Sequence, residues 1–188
     1  MFSVYKKIPI GIRMKLMQTL RSIFMLALIS GLLTGCMELS APPAADSPAD
    51  SFACIPSGQT PQAATVTHIA DGDTITVDID GERYRVRYIG INTPELDSSE
   101  DDLAQQAKQL NALLVDGQEV KLYRDTSETD QYDRLLRYVV IDYRFVNYEL
   151  VAQGLARAKD YRPDTACSQI FKQAQDQAQT NDLGIWDQ

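Results

Sequence analysis

The stretch VTHIADGDTITVDIDGERYRVRYIGINTPE, residues 66–95, constrains the fold more than any other part of the chain. Two hairpin signals, Asp71-Gly72 and Asp80-Gly81, separate runs in which apolar and polar residues alternate. A strand shows successive side chains to opposite faces, so Ile75, Val77 and Ile79 share one face of the middle run, and Thr76 and Asp78 the other. The pattern predicts a three-stranded meander over residues 64–70, 74–79 and 82–91. The third strand of a meander returns toward the first turn. Asp73 is therefore expected close to Asn92, Thr93 and Glu95, with Arg87 one or two pleats before them. Oxygen donors, a carboxylate and an arginine at one mouth suit metal-assisted phosphate chemistry. Taken singly these residues say less: Asp-Gly is a turn, and Asn-Thr-Pro ends a strand because proline cannot continue the ladder.

Downstream, Leu103, Ala107, Leu110 and Leu114 fall at helical spacing before Gly117. The acidic run Asp97-Ser98-Ser99-Glu100-Asp101-Asp102 reads better as the start of this helix than as a calcium loop. Ser98 or Ser99 caps it, and acids in the first turn suit its dipole. Residues 119–125 and 135–143 are expected as the fourth and fifth strands. The polar loop TSETDQYD separates them, and Arg134 sits where it meets the fifth strand. Residues 146–153 form a short helix, and residues 168–180 a third with Ile170, Ala174 and Ala178 inward. Trp186 is expected as a packing anchor rather than a base-stacking platform.

Taken together, DGDT, the strand carrying Arg87, NTPE, the DQYDR loop with Arg134, VNYELVAQGLA and the closing LGIW resemble the thermonuclease, or staphylococcal nuclease-like, family. The resemblance runs over nearly all of residues 66–186. It implies a β-rich α+β chain, a five-stranded OB-fold barrel with three α-helices, which the strand and helix count matches. It implies further that Asp73, Asn92 and the Thr93 carbonyl bind Ca²⁺, and that Glu95 orients or deprotonates the attacking water. Arg87 and Arg134 would clamp the phosphate, while Tyr132 and, across a one-residue gap, Tyr161 would face the substrate. The activity implied is cleavage of DNA or RNA, single strands preferred, at the 5′ P–O bond to leave 3′-phosphates. One departure matters: where well-known members carry aspartate, this chain has Asn92, one negative charge fewer for the metal.

Ahead of this domain, Lys6, Lys7, Arg13, Lys15 and Arg21 precede an apolar run over residues 23–33, too short to span a bilayer comfortably. Leu33-Thr34-Gly35-Cys36 resembles the bacterial lipobox. Residues 1–35 are thus expected as a lipoprotein signal peptide and Cys36 as the acylated residue that anchors a monomeric protein in the cell envelope. Residues 36–61, rich in Ala, Pro, Ser and Asp, read as a tether, and residues 62–188 as one domain. Cys54 and Cys167 remain, and in an exported chain two such cysteines predict a disulfide rather than a metal site.

Net charge opposes the usual profile of a nucleic-acid protein. The chain is at −8, and its first 35 residues hold five basic residues and no acid, which leaves −13 for the remainder. Phosphate binding must then come from a local site and from metal, because no broad basic surface is available. One histidine, His68, excludes a multi-histidine zinc centre and an HExxH helix. Two other readings stay open on these grounds: a non-catalytic OB module that binds nucleic acid or an envelope partner, and a phosphodiesterase acting on small nucleotides.

Overall fold

The computed structural model describes residues 52–96 and 99–187. The expected signal segment, Cys36 and the first part of the tether lie outside the described residues, as do Asp97, Ser98 and Gln188. In chain order the elements are β1 (Gln62–Ile69), β2 (Thr74–Ile79), β3 (Glu82–Tyr88), β4 (Ile91–Asn92), α1 (Asp101–Val115), β5 (Glu119–Tyr123) and β6 (Leu135–Ile141). They continue with β7 (Arg144–Phe145), α2 (Val146–Ala152), β8 (Arg157–Ala158), α3 (Ser168–Thr180) and a 3₁₀ turn at Gly184–Trp186.

β1, β2 and β3 make the expected antiparallel meander. β1 also pairs with β5, β5 with β6, and a parallel contact from Val86↔Leu135 to Tyr88↔Arg137 joins β3 to β6. That last contact closes five strands into the OB barrel, whose interior holds Ile75, Val77, Val86, Tyr88, Val120 and Leu122.

The two Asp-Gly pairs do different work. Asp80 and Gly81 both have positive φ, 54° and 87°, as a type I′ hairpin turn requires. Asp71-Gly72 is not such a turn, contrary to the sequence expectation. Gly72 is absent from the positive-φ positions, and it is glycine because a Cβ there would lie 2.7 Å from both the Ala107 Cβ and the Thr93 Cγ2. The expected third strand also stops early, at Tyr88 instead of residue 91. Gly90, at φ 77°, passes so close to Phe171 that a Cβ would sit 2.6 Å from the ring. The chain turns there and resumes as β4, which pairs with β8. Buried Asn147 compensates the break: its Nδ2 donates to the Ile89 carbonyl at 3.0 Å, and its Oδ1 accepts from the Val139 amide at 2.9 Å.

The helix faces are rotated from the expected ones. α1 buries Ala104, Ala107, Asn111, Leu114 and Val115, while Leu103 and Leu110 are half-buried. Asn111 turns inward because it is satisfied there, accepting from the Tyr88 hydroxyl at 2.8 Å and donating to the Asp71 carbonyl at 3.1 Å. α1 begins after Glu100 without a side-chain cap, so Ser99 is not its cap, although Asp101 and Asp102 occupy the first turn. In α3 it is Phe171, with Ala174 and Ala178, that faces the core, and Ile170 is half-buried. Phe171 joins Tyr138 and Phe145 in an aromatic cluster with ring centroids 5.4–6.2 Å apart. β6 ends at Ile141, because Asp142, at φ 51°, opens a turn into β7.

Residues 52–61 read as tether by composition, yet they pack on the barrel. Phe52 stacks on Phe145 at 6.2 Å, and Gln59 exchanges two hydrogen bonds with the Arg124 backbone, 2.7 and 3.1 Å. The Cys54–Cys167 disulfide fastens this segment to the start of α3, across 113 residues of sequence. A double Cys54→Ser/Cys167→Ser variant is expected to lose up to about 5 kcal/mol, the chain-entropy bound for so long a loop. Urea unfolding checks this, and an unchanged midpoint would mean the bond does not staple the fold.

Candidate active site

The turn between β1 and β2 delivers a carboxylate into the barrel mouth. The Asp71 Oδ1 accepts from the Asp73 amide at 3.0 Å, and this local ring holds Asp73 pointing inward. The Asp73 Oδ2 then accepts from the Thr93 amide at 2.9 Å and the Thr93 hydroxyl at 3.1 Å, and lies 3.1 Å from Nη1 of Arg87. Burial pushes the Asp73 carboxyl up to about 6, with the Asp71 charge adding to it and Arg87 pulling the other way.

Arg87 reaches the same point from β3. Its Nη1 donates to the carbonyls of Tyr88 and Ile91, each at 3.0 Å, and its Nη2 to the Asn92 Oδ1 at 2.9 Å. Arginine only donates, so this contact fixes the Asn92 amide with its oxygen toward Arg87 and its Nδ2 toward the Thr93 carbonyl, 3.2 Å away. Among the described residues Nε–H and the other Nη2–H make no hydrogen bond, which leaves Arg87 two donors. Glu95 stands exposed at the mouth.

The β5–β6 loop supplies the opposite wall. Asp130 organises it: its Oδ1 accepts from the amides of Tyr132 and Arg134, and its Oδ2 binds Nε and Nη2 of Arg134, both at 2.7 Å. The Arg134 guanidinium also lies 5.5 Å from the Tyr132 ring, which is exposed. Buried Asp164 accepts from the amides of Thr126 and Ser127 at 2.9 and 2.7 Å, joining this loop to the segment that carries Tyr161. The Tyr161 hydroxyl comes within 3.5 Å of the Asn92 Oδ1.

All the sequence-predicted site side chains, Asp73, Arg87, Asn92, Glu95, Tyr132, Arg134 and Tyr161, line one cavity of about 550 Å³. Thr93 sits behind it, holding Asp73. Sequence reasoning missed Asp71, Arg162 and Asp164, and it named Asp130 only as a neighbour of Arg134. A turn-former in a DGD run and a carboxylate four residues before an arginine are the signals that could have found Asp71 and Asp130. Nothing local marks Asp164, whose partners are 37 and 38 residues away.

Residues 85–188 match the family model of staphylococcal nuclease homologues. The chain is 38% identical over 128 residues to a thermonuclease of Staphylococcus hyicus, covering 66% of this chain and 76% of that protein. It is 37% identical over 125 residues to a thermonuclease of Staphylococcus intermedius, covering 65% and 74%. Over 127 residues it is 35% identical to the endonuclease YncB of Bacillus subtilis, covering 65% and 60%. The chain belongs to the staphylococcal nuclease family.

The donor set fits the cation this family implies. Among the described residues no group of three or more His, Cys, Asp or Glu is gathered as a metal cluster. What the mouth offers is hard oxygen: the Asp73 carboxylate, the Asn92 amide and the Thr93 carbonyl. Five carboxylates (Asp71, Asp73, Glu95, Asp130, Asp164) and three arginines (Arg87, Arg134, Arg162) line the cavity. Two negative charges are in excess, the charge one Ca²⁺ neutralises.

The loop that carries Arg134 depends on a second pair. Glu128 accepts from Arg137, whose side chain is 5% exposed, and from Arg124 at 2.9 Å. The Arg137 hydrogen bond, aided by Arg124, holds the Glu128 carboxyl below the usual carboxylate range. A depressed pKa stabilises the fold above the unfolded value, about 4.3, and that contribution disappears as pH falls through the folded value. Glu128→Gln is therefore expected to cost about 1 kcal/mol near pH 7, modest because Glu128 is half-exposed, and nothing in strong acid. Thermal unfolding at both pH values reads the difference, and a pH-independent loss would assign it to packing.

Proposed function

We propose that this chain is a Ca²⁺-dependent nuclease that hydrolyses DNA and RNA, leaves 3′-phosphate ends and acts from the cell envelope as a lipoprotein anchored at Cys36. The observation that carries the nuclease reading is the convergence of Asp73, Arg87, Asn92, Glu95 and Arg134 on one cavity. The thermonuclease and endonuclease relatives support the same activity. The anchor rests on the basic leader and the LTGC sequence alone.

Asp73, Asn92 and the Thr93 carbonyl are the residues that would hold the metal. Bound Ca²⁺ supplies positive charge that stabilises the added charge of the reacting phosphate. Glu95, exposed at the mouth, takes the proton of the water that attacks phosphorus. Arg87 turns its remaining N–H donors to the equatorial oxygens and Arg134 meets them from the opposite wall, and both gain strength as charge builds there. The P–O5′ bond breaks, the 5′ oxygen leaves with a proton taken from solvent water, Glu95 returns its proton to solvent, and the phosphate stays on the 3′ side. Tyr132 and Tyr161 flank the cavity where sugar and base would lie.

The −13 balance favours a second reading, an OB module that binds without turnover. It gives no chemical reason for keeping Arg87, Glu95 and Arg134 together. On single-stranded DNA the mature chain is expected to cleave with millimolar Ca²⁺ and to stop with chelator. Glu95→Gln is expected to slow cleavage by about 10²–10⁴-fold and Arg87→Ala by about 10²–10³-fold. Ca²⁺ should also raise the Tm of the Glu95→Gln protein, since ligand binding to the folded state stabilises it. Cleavage that persists in Glu95→Gln would misplace the base; a Tm indifferent to Ca²⁺ would remove the metal.

A further inference from the structure

Arg83 and Arg85 lie on β3 four and two residues before Arg87, and all three share one face of the strand. The register shows it. Arg87 stands opposite Thr74, Arg85 opposite Thr76 and Arg83 opposite Asp78, whereas Val86 and Tyr84 meet Ile75 and Val77 of the core. β3 pairs with β6 only over Val86, Arg87 and Tyr88, so its first half is an open edge. Arg83 and Arg85 are exposed, and among the described residues neither forms an ion pair or a side-chain hydrogen bond. Their stems rise from the strand about 7 Å apart, a step comparable with the phosphate repeat of an extended single strand.

The surroundings suit a polyanion where the rest of the chain does not. Beside Arg85 the sheet carries Thr76 and then His68, with no acid at that level. Beside Arg83 the Asp78 carboxylate accepts from the Gly81 amide at 2.9 Å rather than pairing with the arginine. Past Arg83 come Glu82 and Asp80, so the basic row is two residues long and ends there. In OB barrels the face of strands two and three is where oligonucleotides lie.

We propose that Arg83 and Arg85 form a two-phosphate track that carries the backbone of a single-stranded polynucleotide from the cavity across the β2–β3 face. The proposal rests on the nuclease reading for its substrate. It makes this chain a processor of strands several nucleotides long rather than of dinucleotides. Charge on an open strand edge also discourages edge-to-edge aggregation, but that role has no consequence for salt-dependent binding.

The test uses the mature chain carrying Glu95→Gln, so that nothing is cut, with a labelled single strand of about 12 nucleotides, within the usual OB-fold site size. Removing both phosphate-binding cations in Arg83→Gln/Arg85→Gln should lower the slope of log K against log salt by about 1.4 and weaken binding about tenfold. In the cleaving protein, the ratio of kcat/KM on that strand to kcat/KM on a dinucleotide should fall about tenfold, mostly through KM. An unchanged slope, or an unchanged ratio, overturns the track. So does a parent that binds no single strand at any salt concentration, even if it cleaves dinucleotides. A parent that cleaves nothing but loses the salt slope with the two arginines would sink the nuclease reading and leave the track standing.

Discussion

Three segments meet on the buried carboxylate of Asp73. The first turn of the meander presents it, Thr93 just past β4 donates to it twice, and Arg87 of β3 faces it at 3.1 Å. Together with the pairing of β4 with β8, these contacts fix where the chain goes after it breaks away from the barrel at Gly90. The approach is close enough that Gly72 has no room for a side chain against Ala107 and Thr93. A carboxylate so buried is costly unless it is hydrogen-bonded and opposed by positive charge. The same geometry that steadies the barrel mouth therefore prepares a place for a cation.

The two arginines of the cavity are held by different means. Arg87 is fixed by backbone carbonyls and by Asp73 and Asn92, so its position follows from the strand break itself. Arg134 is on a loop, and a loop needs its own supports. Asp130 grips the arginine, Glu128 ties the loop to Arg137, and Asp164 ties it to the segment before α3. Asp125 continues the chain of contacts, accepting from the Tyr138 hydroxyl and the Ala166 amide, both at 2.8 Å, beside the disulfide at Cys167. The leading segment, a tether by composition, thus reaches the back of the cavity wall through covalent and hydrogen-bonded steps.

Period-two alternation made the meander legible, and the order of the motifs made the barrel and the site side chains legible. What stayed hidden depends on partners distant in sequence. A pattern of apolar residues put Leu103 and Leu110 on the inner face of α1, and it could not show that Asn111 would be buried by bonds to Tyr88 and Asp71. It chose Ile170 over Phe171 because only the packed structure reveals the aromatic cluster. Asp71-Gly72 looks like Asp80-Gly81, yet one glycine answers a steric demand across the fold and the other a local φ. Segment 52–61 reads as tether by composition, and it is held by one aromatic stack, one glutamine and one disulfide.

An acidic protein acting on a polyanion poses an electrostatic problem that total charge states badly. At physiological ionic strength exposed charges more than about 8 Å apart are largely screened. A phosphate in the cavity therefore responds mainly to the groups that line it. There the excess is two negative charges before a divalent ion is counted. A carboxylate in place of Asn92 would add a third. It would bind the cation more tightly, but it would leave the loaded cavity negative toward an incoming phosphate. Asn92 keeps the oxygen and drops the charge, so with a divalent ion bound the cavity would be neutral by formal count rather than negative. Under the proposed function, weaker metal binding and tolerance of a polyanion would both follow from this one residue.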